Sequence, residues 1–138
     1  MSVETYIIEG IGVKTKQLRP YLNDENCIAF LKEYDATIVI DEDSFNINDY
    51  ISGKPFKNLS ELLYFCDYSD CLRCDGDGNG EDYLYYPPKY PWQLKENDPR
   101  SIEEAHKLLI ETIQRICDIS REDVEALIDD DLYEVGWS

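Results

Sequence analysis

The stretch from Ser101 to Ile116 leaves the backbone little choice. Ile102, Ala105, Leu109, Ile113 and Ile116 recur at intervals of three and four, and they share one face only if the chain is helical there. Ser101 offers a capping hydroxyl, and Glu104, three residues on, completes a capping box. A long helix with one apolar face needs a covering layer. The remaining segments have to supply it.

Tyr6-Ile7-Ile8 reads as a strand that ends in a turn at Gly10 and Gly12. Cys27, Phe30, Leu31 and Tyr34 fall at helical spacing and predict a helix over Asp24 to Tyr34. Ala36 to Ile40 is β-branched and apolar, the strongest strand in the sequence, closed by a polar turn at Asp41, Glu42 and Asp43. Asn58 and Glu61 cap a short helix whose Leu62, Leu63 and Phe65 form an apolar side and which runs into Cys66. Gly76, Gly78 and Gly80 make a loop before a strand at Tyr83-Leu84-Tyr85-Tyr86, which Pro87, Pro88 and Pro91 terminate. Ser120 caps a last helix with Val124, Leu127 and Ile128 as its stripe. The expected architecture over residues 1–138 is a single α+β domain, a small antiparallel or mixed sheet with about four helices packed on one face.

Acidic residues number 30 against 13 basic ones, and the formal net charge of −17 would be repelled by phosphate. Direct binding to nucleic acid or an anionic membrane is therefore not expected; a basic partner or a cation is. No apolar run approaches the roughly 20 residues of a membrane span, and the first residues lack a basic start with an apolar signal core. The expectation is a cytoplasmic protein. Because 43% of the residues are hydrophobic, the acidity is not that of a disordered tail.

Five cysteines cannot all pair within one chain, and a cytosolic setting keeps thiols reduced. Cys66, Cys71 and Cys74 cluster, the last two as a C-x2-C pair that can grip one ion from a tight turn. This spacing predicts a closed, structural zinc knuckle pinning the glycine loop to the helix that ends at Cys66. Zinc takes four ligands. His106, the single histidine, is the expected fourth, with Cys27, Cys117, Asp70, Asp75 or water as alternatives. Asp75-Gly-Asp-Gly-Asn79-Gly80 also matches the first half of a calcium loop, but Asp82 and Tyr86 stand where an apolar residue and a bidentate Glu are needed. A solvated turn accounts for it better.

Seven acids lie between Ser120 and the end of the sequence, at 122, 123, 125, 129, 130, 131 and 134, against one base, Arg121. Asp129-Asp130-Asp131 follows the last helix, where its dipole would prefer cations. Upstream, Tyr83, Tyr85, Tyr86, Tyr90 and Trp92 are interleaved with prolines, and such aromatics dominate interface hot spots. Asp129, Asp130, Asp131, Glu134, Tyr85, Tyr90 and Trp92 are accordingly the expected partner-binding residues. A catalytic set is not expected: there is no Gly-x-Ser-x-Gly elbow, phosphate loop or His-Glu-x-x-His motif, and Gly10-Ile-Gly12 lacks the rest of a dinucleotide fingerprint.

In the Glu122–Glu134 acidic run and the Cys66/Cys71/Cys74 trio the chain resembles small acidic inhibitors encoded by phages and mobile elements, the anti-CRISPR proteins directed at Cas9. The resemblance is one of character, and it implies a zinc-stabilised inhibitor in the cytoplasm of a bacterial host. Such an inhibitor occupies a basic surface of the nuclease and blocks DNA loading or a required conformational change. The alternative expectation is an immunity protein or antitoxin that neutralises a basic nuclease toxin.

Overall fold

The computed structural model describes residues 5–51 and 58–137. Strand β1 (Thr5–Lys14) opens the chain and is followed by a 3-10 segment, Thr15–Tyr21. Helices α1 (Asp24–Tyr34), α2 (Ile47–Tyr50) and α3 (Leu59–Cys66) come next, then strands β2 (Arg73–Gly76) and β3 (Asp82–Tyr86). A short 3-10 turn at Pro91–Gln93 leads to α4 (Ile102–Gln114), α5 (Arg121–Leu127) and strand β4 (Asp129–Trp137). The four strands form one antiparallel sheet in the order β2-β3-β1-β4. The fold is α+β, as expected, in a single small domain. No described helix is long and apolar enough to cross a membrane.

The caps read from the sequence are in place. Asn58 accepts from the Glu61 amide at 2.8 Å, Ser101 from the Glu104 amide at 3.1 Å, and Ser120 from the Asp123 amide at 3.1 Å. The Glu104 carboxylate reaches the amide of Arg100, one residue ahead of the cap. On α4, Ala105, Leu109 and Ile113 are buried as the stripe requires, together with Ile116 just beyond the helix. Ile102 is not; it is 58% exposed.

Strand alternation divides the sheet. Val13, Leu84 and Tyr86 join Cys27, Phe30, Leu31, Leu62, Leu63, Leu109 and Ile113 in the main core, so the helices cover that face. Tyr6, Ile8, Tyr83, Tyr85 and Leu132 pack together on the other. The second cluster is buried because the sheet curls on itself. A Cβ placed on Gly136 of β4 would lie 2.8 Å from the carbonyl oxygen of Gly76, on the opposite outer strand.

Three strand assignments differ from expectation. Gly10 and Gly12 do not end β1; they let it pass close to β3, because a Cβ at Gly10 (φ 141°) would lie 1.9 Å from the Tyr86 oxygen. Ala36–Ile40 is not a strand. Asp35 turns the chain by accepting from the Thr37 amide at 2.9 Å, and Val39 is 96% exposed. Its β-branched residues have the propensity but no neighbouring strand in the described sheet, and pairing is what propensity depends on. The acidic segment after α5 is a strand rather than a helix end. The sequence carries the signal in the alternation of Tyr133, Val135 and Trp137 with Leu132, Glu134 and Gly136.

Candidate functional site

The cysteine segment is organised around a carboxylate. Asp67, just past α3 and buried, accepts from the Cys71 and Leu72 amides at 2.8 and 2.7 Å and from the Ser69 amide at 3.0 Å. Asp70 takes the left-handed backbone this tight turn requires (φ 57°). The four expected zinc ligands sit in different surroundings. Cys66 is fully buried in the main core with Cys27 and Cys117; Cys71 Sγ lies 3.4 Å from the Ser69 carbonyl; Cys74 stands on β2 opposite Leu84. Burial raises all five thiol pKa values, those of Cys27, Cys74 and Cys117 to about 12. All five cysteines are free, and among the described residues no three His, Cys, Asp or Glu side chains are arranged to hold a metal ion.

His106 is engaged elsewhere. Its Nε2 lies 2.5 Å from Asp130 Oδ1, tying α4 to the start of β4. The pairing follows from a β-bulge. Gly12 pairs with Asp129 and Gly10 with Leu132, which leaves Ile11 facing both Asp130 and Asp131. Both acids therefore line a groove of about 510 Å³, bounded by β1, β4, the N-terminal end of α4 and the proline-rich loop. Tyr133 and Ile102, both 58% exposed, line the same groove.

The proline-rich loop is tied to β3 by Asp98. Its buried carboxylate accepts from Tyr86 Oη at 3.0 Å, Lys89 Nζ at 2.7 Å and the Lys95 amide at 2.6 Å. Burial alone would raise its pKa, but these donors hold it down to about 2. Tyr90 and Trp92 project from this loop as a parallel stacked pair, with centroids 4.7 Å apart and Trp92 78% exposed. Tyr85, expected beside them on a partner-binding surface, is 1% exposed. Alternation turns its ring into the curled sheet, where its hydroxyl donates to Asp75. Glu134 lies on that same side, close enough to Tyr83 to help raise the phenol's pKa to about 12 after the larger effect of burial.

Asp129, Asp130 and Asp131 are exposed, as are Glu122, Asp123 and Glu125 on α5. Arg121 pairs with Glu125 and His106 with Asp130, and among the described residues no cation pairs with Glu122, Asp123, Asp129 or Asp131. The corner between α5 and β4 thus carries concentrated, accessible negative charge. Sequence reasoning missed Asp98, a loop acid with no signal of its own, and the exposed Ile7, Tyr133 and Val135, which the alternation of β1 and β4 would have revealed.

No protein-family model, curated protein or solved structure matches this chain.

Proposed function

We propose that this protein acts by binding, as a non-catalytic acidic inhibitor of a nucleic-acid-handling enzyme, with the CRISPR nuclease Cas9 the first candidate. The acidic corner between α5 and β4 carries this reading. Glu122, Asp123, Asp129 and Asp131 are ion-paired with no cation among the described residues, and a basic channel built for phosphate would attract them. The Tyr90–Trp92 ledge supplies rigid aromatic area that can be desolvated once the charges have steered the encounter. Bound there, the chain would block DNA loading or a required domain movement.

The test is a binding and cleavage assay with guide-loaded nuclease over a salt series. Association slowing about tenfold or more between roughly 50 and 300 mM salt, with stoichiometric loss of cleavage, supports the reading. Salt-independent binding, or unchanged cleavage at saturating inhibitor, overturns it.

A further inference from the structure

The helix layer leaves part of its own sheet face bare. On β1 and β4, Ile7 stands opposite Val135 and Glu9 opposite Tyr133, and these positions share the side of the sheet that carries Ile11. Ile11 packs against the main core, whereas Ile7, Tyr133 and Val135 are exposed. Across the groove, Ile102 at the first turn of α4 is exposed as well. Tyr133 and Ile102 thus line one concavity, and Ile7 and Val135 continue the exposed sheet face beside it. An isolated exposed apolar residue needs no account, but a contiguous set of this kind marks an interaction site.

The rim says what would cover it. The bulge sends two successive acids, Asp130 and Asp131, to the groove, and Glu9 adds a third. Of the two cations on the opposite wall, Lys89 is neutralised by Asp98, leaving Arg100. A second copy of the chain is a poor occupant, since each carries a net charge of −17.

We infer that the groove between α4 and the bare face of β1 and β4 receives an amphipathic helix of the partner, apolar on one side and flanked by Lys or Arg. A helix fits better than an added strand because the exposed groups are side chains on a sheet face. A rod laid beside α4 would extend the existing layer. Its apolar side chains would meet Ile7, Tyr133, Val135 and Ile102, and its cations Glu9 and Asp131. This inference rests on the basic-partner reading and assigns that partner a seat.

The probe is a synthetic helical peptide with Leu at helical spacing and Lys elsewhere, compared with the same peptide carrying Glu for Lys. It is titrated into the isotope-labelled full chain while amide shifts are followed. The expected result is shifts centred on Ile7, Glu9, Ile102, Tyr133 and Val135. Affinity should fall about tenfold or more in Ile102→Ser/Tyr133→Ser, and the Glu peptide should give no effect. Both replaced side chains are exposed, so the fold should persist, which the unshifted amides of the main core check directly. Shifts confined to α5 and Asp129, with the double variant binding normally, overturn the groove and leave the basic-partner reading standing. Absence of binding by the Lys peptide overturns the groove, and the nuclease assay then decides the broader reading separately. Peptide-free dimerisation through the same amides would overturn it in favour of self-association.

Discussion

The Tyr6 hydroxyl on β1 donates a hydrogen bond to the carbonyl of Gly76 on β2, two strands away and 70 residues along the chain. Only a strongly curled sheet brings those groups together, and the absence of a side chain on Gly136 lets β4 close in behind the ring. Tyr6→Phe should therefore cost about 1 kcal/mol in urea unfolding. Gly136→Ala, which places a methyl 2.7 Å from Tyr6 Cε2, should cost more, roughly 1–3 kcal/mol. A neutral Gly136→Ala would show that the outer strands do not meet.

The same curl shelters Tyr83 and Tyr85 from ionisation, as the main core shelters Tyr86. Burial raises Tyr83 to about 12, helped by Glu134, Asp77 and Glu81, and burial followed by hydrogen bonds to Asp75 and Asp98 raises Tyr85 and Tyr86. A phenol held neutral by the fold stabilises it fully below the unfolded pKa of about 10, and that stability is lost as pH climbs towards the folded value. Tyr83 alone should withdraw roughly 2–3 kcal/mol between about pH 10 and 12. Phenolate absorbance should show a late class of tyrosines that ionise together with loss of the circular dichroism signal. Uniform ionisation near pH 10 in folded protein would contradict the burial.

Asp98 sets the acid limit. Although burial opposes its ionisation, Lys89, the Lys95 amide and Tyr86 hold its pKa at about 2. Its stabilising effect is present above the unfolded value of about 4 and lost as pH falls towards 2. The shift corresponds to about 2 kcal/mol. Asp98→Asn should flatten the acid limb of a stability-against-pH curve and loosen the Tyr90–Trp92 ledge, seen as altered tryptophan fluorescence. An acid limb that matches the parent protein would remove Asp98 from this role.

Local signals in the sequence carried over where a residue and its partner lie within a few positions. The Asn58, Ser101 and Ser120 caps each needed only an amide three residues away, and the Tyr83–Tyr86 strand needed only its own alternation. Long-range choices did not carry over. Ala36–Ile40 has more β-branched character than β4, yet β4 found β1 and Ala36–Ile40 has no described strand beside it. The site residues divide the same way. Asp129, Asp130, Asp131, Tyr90 and Trp92 are exposed as expected, while Tyr85 is turned inward by the parity of its strand. Cys66 lies with Cys27 and Cys117 because its side of α3 faces the core, a fact that sequence proximity to Cys71 and Cys74 conceals.

Asp67 organises the turn that the cysteine spacing brought to notice. Its carboxylate serves the Ser69, Cys71 and Leu72 amides, and Cys71 and Leu72 are themselves buried. Asp67→Ala would strand at least two of those donors away from water, at about 1–3 kcal/mol each. A destabilisation of roughly 2–5 kcal/mol in chemical denaturation is expected. A value under about 0.5 kcal/mol, ordinary for surface substitutions, would mean the turn is held by something else.

Thiol reactivity distinguishes the two arrangements available to the cysteines. With their pKa values raised to about 12 by burial, Cys27 and Cys117 expose little thiolate at pH 8, so each should react with an aromatic disulfide reagent about a thousandfold more slowly than an unfolded cysteine. Cys74, partly exposed on β2 but with its pKa likewise raised to about 12 by burial, should react slowly as well, and denaturant should release all five at once. Adding a strong chelator provides the decisive comparison. If Cys66, Cys71 and Cys74 hold zinc in the purified protein, chelation should produce a burst of up to three fast thiols and a fall in melting temperature. If the rates and melting temperature stay the same, burial alone protects these thiols, and the turn between α3 and β2 depends on the carboxylate of Asp67.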